Sequence, residues 1–362
     1  MKAVLFVTYH FPPEVGGIQT RISRYVAELS RRGLRVRVVV CGRSVEGRET
    51  LAGAEILRCP GGLGHLPRNV LLVAKNTLRL RADVVHVFTG SSTILGACTL
   101  ASARLLGARP VMSLFGREDF ALPGLARALL LVSMSLSWSI AVNSSATQGM
   151  LPANFRNKAR VLMGGANVPA STNHPPSPDV FRVLYVGRLV RRKGVDDLVR
   201  AVATLKASVP QMRLTVVGDG PEKQNLQDLV LQLNLSGSAE FRGTLTGAEL
   251  DTEYEKCSVL VLPSKDVSSD TANEGLGLAL IEASMHGKPL IGTSHGGIPE
   301  IVEDGENGLL VPPGDPKALS LALREIFTNP EMARNMGEAA LSRAKARFSW
   351  EKATDALLES YS

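Results

Sequence analysis

The feature that most constrains this chain is a strand–helix–strand pattern that runs, stops at a proline-rich break, and starts again. Ala3–Val7 reads as a strand and is followed by a Pro/Gly-rich turn from His10 to Gly17. A helical repeat then covers Ile18–Arg32, with Ile22, Val26 and Leu29 on one face. Gly33 stops that helix and Val36–Val40 is the next strand. This order is a βαβ unit, and such units build parallel sheets. Val84–Phe88 and Val111–Leu114 read as further buried strands. Asn173-His174-Pro175-Pro176-Ser177-Pro178-Asp179 breaks all periodicity and reads as a linker.

After the break the pattern resumes. Strands are expected at Val183–Val186, Leu214–Val217, Ala239–Phe241, Val259–Leu262, Pro289–Ile291 and Leu309–Val311. Helices fit between and after them at Gly194–Leu205, Pro221–Leu233, Gly247–Lys256, Leu276–Met285 and Pro316–Phe327. The expected domains are 1–172 and 180–345, joined by 173–179, with a helical tail over 346–362 that crosses back to the first domain. A length of 362 residues suits two domains that each bury a core. Two doubly wound sheets facing across a cleft would bind ligands beyond the carboxyl ends of their strands.

Charge is divided unevenly. Residues 1–172 carry a net +13 and the remainder −6. Arg21, Arg24, Arg31, Arg32, Arg35 and Arg37 cluster early, and either a solvated helix face or a patch for anionic lipid accounts for them. Aromatics are 5% of the chain, too few for a surface that stacks nucleic-acid bases, so no nucleic-acid partner is expected. Cys41, Cys59, Cys98 and Cys257 form no CxxC pair and read as reduced, small apolar residues of a cytoplasmic protein. The apolar run Val4–Val7 is too short for a signal peptide. No charge falls between Arg127 and Arg156, but the serines there argue for a buried helix followed by a strand at Trp138–Val142, not a membrane span.

The chemistry concentrates in Glu274-Gly-Leu-Gly-Leu-Ala-Leu-Ile-Glu282, at the entry to a helix. Eight residues at a helical rise put the two backbones at most about 12 Å apart. Carboxylates at that spacing can grip hydroxyls at two ends of an extended polyol. Gly275 and Gly277 allow close backbone approach, and the helix N-terminus offers N–H groups to a phosphate. An exposed helix with a stray glutamate is the plainer alternative. No Asp-x-Asp pair and no His/Cys/carboxylate cluster with metal-site spacing is present.

The surrounding order carries a resemblance. Gly187-Arg188-Leu189, Lys193-Gly194, Gly218-Asp219-Gly220-Pro221, Phe241-Arg242-Gly243, Pro263-Ser264, Glu274 to Glu282, Gly287-Lys288-Pro289 and Gly296-Gly297-Ile298-Pro299-Glu300 together resemble glycosyltransferase family 4. Phe11-Pro12-Pro13-Glu14-Val15-Gly16-Gly17-Ile18-Gln19 is similar to that family's opening loop. The resemblance implies the GT-B architecture and a retaining transfer from a nucleotide-sugar donor, with no metal and no other cofactor. Arg188 and Lys193 would clamp the departing diphosphate, Glu274 would hold the transferred sugar, and Glu282 would bind the ribose. Gly277 and Leu278 would assist through backbone N–H groups, Phe241 and Arg242 would meet the base, and Gly16 and Gly17 would reach the donor phosphate. The motifs are most similar to mannosyltransferases acting on lipid or glycan acceptors, which implies GDP-mannose, with UDP-glucose and UDP-N-acetylglucosamine as alternatives. The protein would be cytoplasmic and peripheral on the inner face of a membrane.

Two departures stand out. Phe115 occupies a place where many relatives carry histidine, and His86-Val87-Phe88 keeps only half of a common His-x-His, so His86 reads as a satisfied strand-end residue. Glu118 or Asp119 could take over an acceptor-side role. A binding protein whose basic lobe holds anionic lipid or nucleic acid is a competing class, but it leaves Arg188, Lys193, Glu274 and Glu282 unexplained. A nicotinamide-dependent oxidoreductase would need a Gly-x-Gly-x-x-Gly turn, which Gly16-Gly17 and Gly218-Asp219-Gly220 do not make.

Overall fold

A computed structural model describes all residues except 15, 43–45, 89–92, 117–119, 121, 123, 170–178 and 268–273. Most of the expected linker, Glu118, Asp119 and part of the loop before Glu274 therefore lie outside the described residues. The chain divides into two units, Met1–Gly164 with Trp350–Ser362, and Gly165–Ser349.

The first unit runs β1 (Ala3–Thr8), α1 (Gly17–Arg31), β2 (Arg35–Gly42), β3 (Gly47–Leu51), β4 (Ala54–Pro60), α2 (Leu66–Leu80), β5 (Val84–Phe88), α3 (Thr93–Leu105), β6 (Arg109–Leu114), α4 (Gly124–Leu136), β7 (Ser139–Val142), α5 (Ser145–Gly149) and β8 (Ala159–Val161). Its strands order as β3-β4-β2-β1-β5-β6-β7-β8, parallel except for the antiparallel β3–β4 pair. All six residues of β1 are buried, as expected for a central parallel strand covered on both faces. Successive side chains alternate between two apolar layers. Ala3, Leu5 and Val7 join one core with Val73, Leu100 and Met134. Val4 and Phe6 join the other with Ile22, Val26 and Leu29 of α1. Fully burying each of the larger side chains among these contributes roughly 1.5–3 kcal/mol.

The second unit runs β9 (Phe181–Val186), α6 (Val195–Leu205), β10 (Met212–Val217), α7 (Lys223–Gln232), β11 (Ala239–Gly243), α8 (Ala248–Lys256), β12 (Val259–Leu262), α9 (Leu278–Met285), β13 (Leu290–Thr293), β14 (Gly308–Val311), α10 (Pro316–Thr328) and α11 (Pro330–Arg347). The last helix, α12 (Trp350–Ser360), packs on α1 in the first unit, where Trp350, Leu357 and Tyr361 join the second core layer. The second sheet orders as β11-β10-β9-β12-β13-β14, and every paired strand in it is parallel.

Two expectations need correction. Helix α4, in the stretch poor in charge, is not buried all round: Leu130, Ser133 and Met134 face the core, while Leu125, Leu131 and Val132 are exposed, with Trp138 beyond them. Its serines fit because Ser133 and Ser135 return hydrogen bonds to the carbonyls of Leu129 and Leu131 at 2.8 and 2.9 Å. Of the early arginines Arg24 and Arg35 are exposed, while the other four are committed to partners. Arg21 is buried and donates to the Leu162 carbonyl at 3.2 Å. Arg31 and Arg32 share Glu28, Arg32 also reaches Asp355 at 2.6 Å, and Arg37 pairs with Glu55. Among the described residues, no helix is long and apolar enough to cross a membrane.

Candidate active site

In each sheet the strand order reverses at one place, between β1 and β5 in the first and between β9 and β12 in the second. Ligands of open parallel sheets bind beyond the carboxyl ends of the strands at such a switch point. The loops after β9 and β12 carry Arg188, Lys193, Ser264 and Glu274. Three of these are residues to which the resemblance gives a role; Ser264 is a fourth.

Lys193 closes a 3-10 turn, Arg191–Lys193, ahead of α6. Gly194 follows in the left-handed region at φ 64°, where a Cβ would fall 1.9 Å from the Pro263 carbonyl oxygen. Glycine is thus required for the turn bearing Lys193 to lie against the end of β12. The approach is pinned by Lys265 N–H donating to the Arg192 carbonyl at 2.8 Å, and by Lys265 Nζ reaching Asp196 and Asp197, each at 2.8 Å.

This geometry brings Lys193 to Glu274. Lys193 Nζ donates to Glu274 Oε2, and Ser264 Oγ donates to the same oxygen at 2.8 Å. Glu274 is only 6% exposed. Burial alone would push its carboxyl up, but the Lys193 charge and the Lys193 and Ser264 hydrogen bonds outweigh it and hold the group below its ordinary range. Glu274 Oε1 accepts no hydrogen bond among the described residues. Ser264 is held in turn by Thr293, whose hydroxyl donates to its carbonyl at 2.5 Å. Sequence reasoning singles out Pro263-Ser264 as a motif but gives Ser264 no part; its place directly after β12 is the signal that could have found it.

The remaining residues are placed as follows. Arg188 is exposed on the loop after β9, and its guanidinium has no partner among the described residues. Gly277, left-handed at φ 85°, caps α9, so the helix starts two residues later than its apolar pattern implies. No side chain caps that terminus; the Leu280 N–H already bonds the Gly277 carbonyl at 2.9 Å, which leaves those of Leu278 and Ala279 as the ones a ligand could meet. Glu282 lies one turn into α9 and accepts from the Tyr254 hydroxyl at 2.6 Å. Burial pushes the Tyr254 phenol well above its ordinary value, so it stays a donor. Phe241 is half-buried on the edge strand β11. Arg242 occupies a register shift there and sits 3.6 Å from Glu253, with no contact to Lys193 or Glu274 among the ion pairs of the described residues. In the first unit, Gly16 is the N-cap of α1 and Gly17 its first residue, shortly after β1 at that sheet's switch point. No side chain caps α1 and no acid lies in its first turn, which suits an anion.

His86 is fully buried, between Tyr361 Oη at 2.7 Å and Ser113 Oγ at 2.8 Å. It is a packed strand residue tying the chain's last residues to the sheet. Among the described residues, no group of three or more His, Cys, Asp or Glu side chains is placed to hold a metal ion.

Comparison with known proteins adds the family. A family described as glycosyl transferases group 1 matches residues 170–343, and the glycosyl transferase 4-like domain matches residues 16–144. The chain is 28% identical over 366 residues to the GDP-mannose-dependent alpha-(1-6)-phosphatidylinositol monomannoside mannosyltransferase of Mycolicibacterium smegmatis, covering 96% of this chain and 95% of that one. Its fold is similar to that of sucrose-phosphate synthase from Thermosynechococcus elongatus, with a TM-score of 0.81, 22% identity and coverage of 100% and 98% of the two chains. HepE of Anabaena in complex with UDP has a TM-score of 0.77 at 20% identity, with 99% of each chain covered. With two parallel-sheet α/β domains and both family matches in place, this chain belongs to the glycosyltransferases, as a family 4-like enzyme of the GT-B architecture.

Proposed function

We propose that the enzyme transfers mannose from GDP-mannose to a hydroxyl of a lipid or glycan, with retention at the anomeric carbon and without a metal ion. The observation that carries this reading is the buried Lys193–Glu274–Ser264 cluster at the switch point of the second sheet. The near full-length similarity to a GDP-mannose-dependent mannosyltransferase supports the choice of donor and of a lipid-like acceptor.

Each group then has a task. The acceptor oxygen forms a bond to the anomeric carbon as that carbon's bond to the diphosphate breaks. The acceptor's proton passes to the departing phosphate oxygen, leaving glycoside and GDP. Arg188, open on its loop, and Lys193 neutralise the charge that builds on the diphosphate, aided by the N–H groups at Gly277 and Leu278. Glu274 presents Oε1 to a sugar hydroxyl while Lys193 and Ser264 hold Oε2. Glu282, oriented by Tyr254, takes the ribose hydroxyls.

Association with an anionic membrane surface is part of this reading, with its face moved from α1 to α2 and α4. Helix α2 exposes Leu71 and Leu78 between Arg68, Lys75 and Arg79, and α4 exposes Leu125, Leu131 and Val132. No Asp or Glu occurs in residues 84–117 or 120–178. Apolar side chains rimmed by cations suit an interface of acyl chains and anionic headgroups.

A thermal-shift screen of GDP-, UDP- and ADP-sugars tests the donor. GDP-mannose is expected to raise the Tm, and Lys193→Ala or Glu282→Ala to abolish the rise. A response to a UDP-sugar instead would overturn the donor and keep the transferase; no response to any would overturn the site.

A further inference from the structure

The second unit has a hollow of about 420 Å³ that the transfer reaction does not use. It is lined by Arg182, Arg213, Glu240, Arg242, Glu253 and Lys256, among others. Arg182 and Arg213 are register partners near the start of β9 and β10, and Glu240 is the second residue of β11. The hollow is therefore built on the amino ends of those strands, whereas the Lys193–Glu274 cluster lies beyond carboxyl ends. Glu253 and Lys256, three residues apart on α8, form one wall.

Within a half that is net −6, this hollow gathers four cations and two carboxylates. Glu240 is committed: it accepts from Arg182 at 3.1 Å and from Thr215 at 3.0 Å. Arg213 donates to the carbonyls of Pro210 and Met212, both at 2.8 Å, and no carboxylate among the described residues meets its charge. Lys256 is exposed and has no partner among the described residues. Glu253 is 4% exposed and stands 3.6 Å from Arg242, and its Oε2 has no hydrogen-bond partner among the described residues. A buried carboxylate oxygen left unpaired is costly, and a ligand donor would relieve it.

We propose that this hollow binds a small phosphorylated molecule that also carries hydroxyl groups, of the sugar- or polyol-phosphate class. The phosphate would lie against Arg213 and Lys256, and a hydroxyl would donate to the Glu253 carboxylate once its sealed, unpaired Oε2 turns into the hollow. Two cations free of acid partners select the anion; one buried acceptor selects a hydroxylated anion over a bare one.

Calorimetric titration of the full chain with glycerol 3-phosphate, and separately with inorganic phosphate, tests this. Glycerol 3-phosphate is expected to bind more tightly than phosphate. Lys256→Ala and Arg213→Ala should weaken both at least tenfold. Glu253→Gln should weaken glycerol 3-phosphate and leave phosphate within twofold. Arg188→Ala, at the donor loop, should change neither. Equal binding by wild type and Lys256→Ala, equal affinity for the two probes, or loss of binding in Arg188→Ala would each overturn the proposal, as would no heat from either probe. None of these outcomes depends on which sugar nucleotide the enzyme uses.

Discussion

Lys193 and Glu274 are 81 residues apart in the chain, yet the ammonium of one donates to the carboxylate of the other. The cation assigned to the diphosphate and the acid assigned to the sugar are thus partners of one another. On the proposed roles, Lys193 would be shared between Glu274 and the phosphate, which would tie the position of the sugar to that of its leaving group.

Removing one member of this buried pair strands the other. Lys193→Met is expected to cost about 3–5 kcal/mol, and Lys193→Met combined with Glu274→Gln to recover much of it. Both variants should lose at least about 10²-fold in turnover, because neither can neutralise the leaving group. Denaturant melts and transfer rates on the same samples separate the two effects; restored activity in the double variant would refute the assignment.

Gly194→Ala should destabilise the second unit by more than about 2 kcal/mol, since the left-handed turn and the approach to Pro263 both exclude a Cβ. Gly314→Ala is the control: at φ 73° with nothing within 4 Å of its Cβ, it carries backbone strain alone, about 1–2 kcal/mol. The difference in Tm between the two isolates the steric clash.

His86 predicts an acid limit for the first unit. Burial lowers its pKa from 6.5 to about 3. The unfolded chain therefore binds a proton below pH 6.5 that the folded chain refuses until about pH 3. Stability is unaffected above the upper value, falls as pH drops through this window, and loses roughly 2 kcal/mol by about pH 5. His86→Gln should flatten that part of the pH profile in denaturant melts, even if the variant is less stable at neutral pH.

Retention on vesicles containing anionic lipid should weaken in Leu125→Ser and Trp138→Ser and decline with added salt. Arg31→Ala should leave it unchanged, because Arg31 lies on α1, away from the exposed apolar stripe of α4, and is paired to Glu28. Equal retention of all three variants would move the face elsewhere.

Chelation offers a separate check on the leaving-group chemistry. Transfer from GDP-mannose should keep its rate in excess EDTA, and a loss restored by magnesium would show that Arg188 and Lys193 do not suffice.

The repeating strands and helices were legible because each reports local physics. Runs such as Ala3–Thr8 must be covered on both faces, and Ile22, Val26 and Leu29 must share a helix face. The order of motifs in the second half named Arg188, Lys193, Glu274 and Glu282, whose positions follow from the strands and helix that carry them. Other facts were settled only by the fold. Strand order puts β9 beside β12, and this alone makes Lys193, Ser264 and Glu274 neighbours. Packing decided that Arg21 is buried while Leu125 and Leu131 are exposed, which reverses what composition suggests for α1 and α4. Register placed Arg182 beside Arg213 and opened a cationic hollow in an acidic half. Periodicity reads one element at a time; which side chains share a site depends on residues far apart in the chain meeting, and they meet only when the sheet assembles.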